Sequence, residues 1–421
     1  MFKDRYGNKL ATSSRDACDA YVRGVDCFLA ADVDAEEAFL EALRHDQRFA
    51  LAHAGLARNR QTLGRKGALE AIATAESLTT GLSERERQHV HCLGLLIRGN
   101  SAGAFDAMTR HLVDYPRDVL IAQPGTGVFG LIGFSGRAGR EAEHLAFTSS
   151  LARAYGDDWW FLTQHAFAQT ECGQTEAAAV NMERALAGNP RNANAAHYRA
   201  HLDYETGEAE AGYEFLKKWM KDYDRDALLH CHNSWHIALW AMALQRTDEM
   251  WSVLDDAVAP GSAWGPPINV VTDTVAFLFR AELSGIAVEQ SRWNRISEYS
   301  LKHYPDPGLV FVDVHAALAH ARAGNTKALN NIIENPQGTA GDVVENLARA
   351  FDAYTQGKLS VAEDFLLEGM IDHARIGGSC AQRDLLEFLM SDIIKKQGRT
   401  KDARNLLAMR RPVSARACGM I

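Results

Sequence analysis

Two pairs of histidines share the same internal spacing and lie about one helical repeat apart. His197 and His201 form the first pair, His232 and His236 form the second, and the second pair follows the first by 35 positions. Residues at i and i+4 of a helix share one face, with Cβ atoms about 5–6 Å apart, and Glu205 adds a carboxylate one turn beyond His201. The spacing therefore predicts five acid/base or metal-ligand groups directed into one volume.

Proton transfer and metal binding are the two kinds of chemistry that these side chains could perform. Histidine titrates near neutral pH and a carboxylate partner can fix its tautomer, so metal-free general acid/base catalysis is the favoured hypothesis and no cofactor is predicted. A divalent metal is the alternative, with His201, His232, His236 and Glu205 as its ligands, although no H-E-x-x-H or similar signature supports it. The competing structural interpretation is that the imidazoles only fill a polar interior.

The elements that must position these residues are helices. Amphipathic patterns follow one another along the chain, with short breaks at Gly, Asn, Pro and Asp and almost no alternating strand-like runs, which predicts an all-α fold. The clearest helix pairs lie at 159–192 and 193–226, close to the tetratricopeptide period of about 34 residues. Further pairs are predicted at about 36–58, 85–118, 310–335, 343–376 and 380–409. We expect one tetratricopeptide-like solenoid domain over residues 1–421. The pattern is compatible with a solenoid that closes around a central pocket and with one that does not.

Tetratricopeptide repeats use fixed positions of their first helix to line a concave groove. In the 193–226 repeat these positions are Asn194, His197, His201, Tyr204 and Glu205, and in the next repeat they include His232, His236 and Trp240. Both histidine pairs are therefore expected on the groove side.

Composition and charge narrow the class of protein. The 421 residues are 47% hydrophobic and carry a net charge of −9, which predicts a soluble protein with a buried core and argues against nucleic acid as a partner. A membrane partner is not predicted either, because no run approaches the ~18 apolar residues of a span. The charged N-terminus lacks an apolar leader, so we expect a cytoplasmic protein with reduced cysteines; homo-oligomerisation is left open. The one basic cluster, Arg410, Arg411 and Arg416, is interpreted as a solvated tail.

Several further residues are candidates for binding a substrate. The acidic pair Asp273 and Asp313 could orient a groove histidine through a tertiary contact, whereas Asp313 and His315 at i and i+2 do not share a helix face. Arg383 is a candidate clamp for a carboxylate or phosphate, against the alternative of a salt bridge. The complete set is Asn233, Trp235, Tyr204, Asp273, Asp313, His315 and Arg383.

Two glycine-containing motifs have structural interpretations that are stronger than their catalytic ones. Gly377-Gly378-Ser379 is an incomplete nucleophile elbow, and Ser379-x-x-Gln382 predicts a helix capping box instead. Residues 125–130 match G-x-G-x-x-G, yet no βαβ unit surrounds them, so a closely packed glycine-rich segment is predicted.

Longer motifs resemble one family in particular. The elements His232-Asn233-Ser234-Trp235-His236-Ile237-Ala238-Leu239 and Gly377-Gly378-Ser379-Cys380-Ala381-Gln382-Arg383-Asp384, together with Asp273, Arg280, Asp313 and His315, are similar to the tetratricopeptide repeat protein 38 family. The resemblance spans roughly His53 to the C-terminus and departs at the shortened tail from Met409 to Ser414. It implies a helical-repeat fold and no particular reaction.

Two functional hypotheses of different class follow. The favoured one is an inner pocket that binds and transforms a small organic molecule by acid/base chemistry of the hydrolase, lyase or isomerase type. The alternative is a non-catalytic adapter that binds a partner peptide in its concave groove. Adapters that capture acidic C-termini use Lys and Arg, whereas the inner faces here carry His, Glu, Trp and Tyr. A groove that holds the protein's own terminus is a third hypothesis.

Overall fold

The chain folds almost entirely into α-helices, as the sequence predicts. A computed structural model of the protein describes residues 2–409; the basic tail Arg410, Arg411 and Arg416 lies outside these described residues. An N-terminal antiparallel ribbon, β1 (Phe2–Lys3) paired with β2 (Lys9–Leu10), was not predicted. No helix within residues 2–409 is long and apolar enough to cross a membrane.

The helices of the first half begin after this ribbon. They are α1 (Arg15–Ala30), α2 (Ala35–His45), α3 (Ala50–Thr62), α4 (Ala68–Ser77), α5 (Glu84–Ile97), α6 (Ser101–Asp114), α7 (Val119–Ala122), α8 (Arg140–Tyr155), α9 (Trp159–Glu171), α10 (Thr175–Gly188) and α11 (Ala193–Thr206). A short 3₁₀ helix covers Gln123–Gly125.

The second half continues the same pattern. Its helices are α12 (Ala209–Trp219), α13 (His230–Ala243), α14 (Thr247–Val253), α15 (Pro267–Leu283), α16 (Gln290–His303), α17 (Val310–Ala323), α18 (Thr326–Glu334), α19 (Gly341–Thr355), α20 (Leu359–Ile371), α21 (Cys380–Lys396) and α22 (Thr400–Met409). Two 3₁₀ helices, Met220–Asp222 and His373–Ile376, and a π-helical turn, Leu254–Val258, complete the described elements.

Consecutive helices pack as hairpins that stack on one another. Helix α9 packs against α10 and α11, and α11 packs against α12, so the helix pairs predicted at 159–192 and 193–226 are present. Asp158 caps α9 by accepting hydrogen bonds from the amides of Trp160 and Phe161, and Gly207 ends α11 in a left-handed conformation with φ +80°. These local signals fix the hairpin boundaries and confirm the tetratricopeptide-like helical-repeat fold; its organisation as one domain over 1–421 stays a prediction.

Helix α21 lies inside the coil and is buried around almost its whole circumference. It packs against α11, α15, α20 and α22. The predicted capping box is present. The Ser379 hydroxyl accepts a hydrogen bond from the backbone N–H of Gln382, and the side-chain oxygen of Gln382 accepts one from the backbone N–H of Ser379. The Cys380 amide donates to Glu171 at the end of α9, 2.8 Å away, and Arg383 pairs with Glu141 on α8 at 2.7 Å. These contacts join segments more than 200 residues apart and enclose the space between α21 and α11.

A buried ionic cluster holds the N-terminal helices together. Asp118, just before α7, accepts from Arg85 at 2.7 Å and contacts His89 Nδ1 at 2.9 Å and His111 Nε2 at 3.1 Å. All four side chains are buried. The surrounding cationic and hydrogen-bonding groups hold the pKa of Asp118 well below its usual value, although burial alone would raise it. The cluster ties α5 and α6 to the segment that precedes the glycine-rich loop.

Replacing Asp118 with asparagine is expected to lower the free energy of unfolding by about 3–5 kcal/mol, because Arg85 would be left buried without its counter-charge. Stability from a carboxylate with a depressed pKa is present above its unfolded pKa and lost as the pH falls, so the loss is measured at pH 7 by urea unfolding. The matched control is Asp19→Asn, whose exposed carboxylate lies 3.8 Å from Arg15 and should change stability by about 0.5 kcal/mol or less. Equal effects of the two changes would contradict the assignment.

Candidate functional site

The four histidines of the two pairs meet at one point. His197 and His201 lie on α11, His232 and His236 lie on α13, and all four are buried. One ring nitrogen from each can be chosen so that the four atoms lie within 4.8 Å of one another. The closest pair is His197 Nε2 and His201 Nε2, at 2.9 Å. The helix spacing predicted this convergence, and the structure confirms the geometry; we call these residues the four-histidine cluster.

Burial keeps the imidazoles of the cluster in their neutral form. Desolvation lowers the pKa of His197 and His236 well below the usual value and that of His201 to about 3. The neighbouring imidazoles act in the same direction, since a second positive charge nearby is unfavourable, and Arg280 adds to the effect on His236. These three rings are therefore neutral at pH 7, and each has one unprotonated nitrogen that can donate a lone pair.

A buried carboxylate on α15 orients one histidine of the cluster. Asp273 Oδ2 lies 2.7 Å from His232 Nδ1, and Asp273 is inaccessible to solvent. Burial raises the pKa of Asp273, while His232 opposes that shift. The contact assigns the proton to His232 Nδ1 and turns Nε2 towards the other rings. Trp235 supports the same ring from one side, stacked at 5.2 Å between centroids with an interplanar angle of 17°.

Glu205 is not part of the group of ligand atoms that meet. The group of possible metal ligands within residues 2–409 consists of the four histidines alone. Glu205 lies near the C-terminal end of α11, one turn beyond His201, and its catalytic or metal-binding role stays a prediction. The carboxylate that contacts a histidine of the cluster is that of Asp273.

Three predicted substrate-binding residues, Tyr204, Arg383 and Asp313, contact residues outside the four-histidine cluster. Tyr204 donates to Asp384 at 2.9 Å, and Arg383 is paired with Glu141, so the salt-bridge alternative describes Arg383. The Asp313 carboxylate accepts from the Gly308 amide at 3.0 Å. The structure therefore does not gather these residues around the four-histidine cluster, and their roles in substrate binding stay predictions.

Three other predicted residues, His315, Asn233 and Trp235, are also buried. His315 Nδ1 lies 2.7 Å from the Phe311 carbonyl, one turn earlier on α17. Asn233 is fully buried on α13, and neither atom of its amide has a hydrogen-bond partner within residues 2–409. Trp235 is likewise fully buried and contacts His232 and His236. Trp235 thus supports the rings of His232 and His236.

A pocket of about 330 Å³ opens beside the cluster. His197, His201 and His232 form part of its wall. The apolar part of the wall includes Phe28, Leu29, Val128, Phe129, Phe134, Trp160, Leu228, Leu229 and Ile268. The other polar residues of the wall are Arg58, Thr62, Gln123, Thr126, Gln164, Asn194, Tyr198, Asn269 and Gln382. This size and mixture are typical of sites for small organic molecules.

The glycine-rich segment forms one side of this pocket. Residues 126–130 line it, and Gly127 has φ +81° with Tyr198 Oη only 3.1 Å from where a Cβ would lie. A side chain there would be strained and would crowd Tyr198. The structure confirms the prediction of a packed segment without a βαβ unit. Its contribution to the pocket was missed, because its approach to α11 is a tertiary contact.

Arg58 on α3 is a second pocket residue that the sequence analysis missed. Its Nη1 donates to Gln61 Oε1 at 2.9 Å, its Nη2 donates to Gln123 Oε1 at 2.9 Å, and its Nε lies 3.3 Å from the same oxygen. Within residues 2–409 no carboxylate lies within ion-pairing distance of it. Burial lowers the pKa of Arg58 to about 10. No local sequence signal distinguishes this arginine from its neighbours.

Comparison with known proteins adds only distant similarities. No family model matches the chain. The human IFIT1 dimer with PPP-AAAA is similar at 16% identity over 99% of this chain and 97% of that one, with a TM-score of 0.44. The P58(IPK) TPR domain is similar at 14% identity over 93% and 98%, with a TM-score of 0.21, and Naa15/Naa10 bound to HypK-THB at 13% over 94% and 68%, with a TM-score of 0.25. Similarities this low carry no argument about function, which rests on the site itself.

Proposed function

We propose that the four-histidine cluster binds one divalent transition-metal ion, and that the adjoining pocket binds and transforms a small organic molecule by hydrolytic or other non-redox acid/base chemistry at that ion. The observation that carries the proposal is that four buried imidazoles each place one ring nitrogen within 4.8 Å of the other three. Nitrogens bound to one ion at about 2.0–2.1 Å lie about 3–3.4 Å apart, close to the His197–His201 separation.

The protonation state favours metal binding over metal-free catalysis. A general base works best with a pKa near the working pH, whereas the pKa of His201 is about 3. A metal ligand, in contrast, must be neutral, and burial enforces that state. Nε2 of His236 is buried without a hydrogen-bond partner within residues 2–409, which fits a nitrogen that coordinates an ion. The balance between the two kinds of chemistry therefore shifts towards the metal alternative.

The residues around the four-histidine cluster support its proposed role in catalysis. Asp273, His232 and the ion would form the carboxylate–histidine–metal arrangement that fixes ligand orientation and raises ligand basicity. Three of the four histidines face the pocket, so a substrate would approach a bound ion from that side and would take a coordination position beyond the four nitrogens. Bound there, the ion would polarise a carbonyl or lower the pKa of a bound water.

Elemental analysis of untagged protein tests the proposal. We expect about one equivalent of a transition metal per chain, and a loss of most of it in His201→Gln and His236→Gln, since each removes one ligand. The matched control is His320→Gln, because His320 is equally buried but contacts Ser297 at 2.8 Å on α16. Wild-type protein that neither contains nor takes up a metal would overturn this proposal and return the cluster to acid/base or packing roles.

A partner-binding scaffold is the second candidate function, and the helical-repeat fold supports it at a coarse level. The feature that favours it is an open cleft of about 940 Å³ whose wall contains aromatic, basic and acidic side chains, among them Phe215, Trp219, Tyr223, Lys218, Lys221, Asp222 and Asp224. What opposes it is the occupation of the interior of the coil by α21, a helix of the protein itself. Peptides selected by display should lose binding in Trp219→Ala and keep it in His236→Gln if this second function holds.

The motif resemblance supports one more proposal, membership of the tetratricopeptide repeat protein 38 family. Its two long elements fall at positions with distinct structural roles: His232–Leu239 supplies half of the cluster, and Gly377–Asp384 supplies the cap of the interior helix. The net charge of −9 supports the absence of nucleic acid among the partners. A cytoplasmic location stays a prediction.

A further inference from the structure

The charges on the pocket wall are unusual for this chain. The protein has 54 acidic and 45 basic residues, yet Arg58 is the one Asp, Glu, Lys or Arg among the described residues that line the pocket. Apart from the histidines, every other lining side chain is apolar or neutral polar. A low-dielectric wall with one positive charge strengthens the attraction for an anion inside the pocket.

Arg58 also retains hydrogen-bonding capacity. A guanidinium has five N–H donors, and three of them are used in contacts with Gln61 and Gln123. One N–H on each Nη remains, which matches the two oxygens of a carboxylate. The two glutamine oxygens hold the guanidinium in place without neutralising it. Arg48 and Arg110, for which no ion pair to an acidic residue is found among the described residues either, are exposed to solvent.

We propose that the pocket takes a small organic carboxylate with an apolar body, whose carboxylate binds Arg58 while its reacting group lies at the four-histidine cluster. This inference rests on the proposed function and names its substrate class. Phe28, Phe129 and Phe134 provide apolar surface for the body of the molecule. A single guanidinium without an accompanying Lys or Arg on the described pocket wall favours a monoanionic carboxylate over a phosphate dianion.

Calorimetry on the full-length, as-purified protein with paired probes tests the inference. The probes are 3-phenylpropionate, its neutral amide 3-phenylpropanamide, and phenyl phosphate. The carboxylate should bind at least about tenfold more tightly than the amide, because a charge-assisted bidentate contact is lost in the amide. Equal affinities, or no binding of the carboxylate at millimolar concentration, would overturn the inference. Preference for phenyl phosphate would overturn the choice of a carboxylate.

Variants separate this inference from the metal proposal. Arg58→Gln should abolish the preference for the acid over the amide while leaving the metal content at the wild-type level, and Arg58→Lys should retain part of the preference. Arg48→Gln, which changes an exposed arginine, is the matched control and should behave as wild type. His236→Gln should lose the metal and keep the preference. If folded Arg58→Gln still binds the acid more tightly than the amide, the inference is overturned, whatever the metal content. The comparison of acid and amide on the wild-type protein tests the inference without any variant.

Discussion

Acidification from pH 7 to pH 5 is expected to lower the free energy of unfolding of the metal-free protein by about 6 kcal/mol through the cluster alone. His197, His201 and His236 stay neutral when folded, whereas in the unfolded chain they titrate near pH 6.5. Below that value each one takes up about one proton on unfolding, and about 2 kcal/mol per histidine is lost by pH 5. Such a loss is comparable with the whole stability of many domains.

The direction of this effect follows from which state binds more protons. Because the folded pKa values lie below the unfolded ones, the stabilisation is fully present above about pH 6.5 and decreases as the pH falls. His144, His315 and His320, each with a pKa lowered to about 4 by burial, add to the same trend. The wild-type curve of unfolding free energy against pH should therefore be steep below pH 6.5.

Urea unfolding between pH 7.5 and pH 5 in the presence of a chelator measures this dependence. The double variant His201→Gln/His236→Gln should have a pH dependence that is smaller by about 4 kcal/mol over the same range, since two of the titrating groups are gone. The single variant His91→Gln, which changes an exposed histidine, serves as the control and should keep the wild-type slope. A double variant with an unchanged slope would show that the cluster histidines are not held neutral.

Asp273→Asn is expected to weaken metal binding by about 10–100-fold while leaving all four ligands in place. The carboxylate holds the Nδ1 proton of His232 and makes Nε2 a better ligand. An asparagine can present its NH₂ group to the ring, which permits the wrong tautomer, and it carries no negative charge to balance the ion. The change should also raise the pH at which half of the metal is lost, since a more weakly bound ion is displaced at a lower proton concentration.

Competition titration against a chromogenic chelator, repeated across pH, measures both effects. Asp313→Asn is the matched control, because Asp313 is also a buried helical aspartate but accepts from a backbone amide. It should leave the metal affinity unchanged. Asp273→Glu, which keeps the charge, should restore part of the affinity. If Asp273→Asn and Asp313→Asn bound the metal as the wild type does, Asp273 would have only a packing role.

The hairpins and the histidine convergence were predictable because they depend on local periodicity. A helix is specified by the spacing of its apolar residues and by its caps, so the boundaries near Asp158 and Gly207 follow from a few adjacent residues. The i,i+4 spacing of each histidine pair fixes a helix face, and the 35-residue offset places the two faces on successive hairpins. The same spacing does not place Glu205 within the group of four ring nitrogens, so its role stays a prediction.

The sequence by itself determined the helical architecture and the four imidazoles that converge. Tertiary structure alone decided that Asp273 is the carboxylate partner, that α21 fills the interior of the coil, and that Arg58 and the glycine-rich loop meet the cluster across a pocket. The reason is physical: residues separated by 41 positions, as His232 and Asp273 are, or by 139, as Arg58 and His197 are, are brought together by the packing of several hairpins. No local sequence pattern encodes the resulting arrangement of helices. Burial of the histidines in that arrangement sets the protonation state on which the proposed chemistry depends.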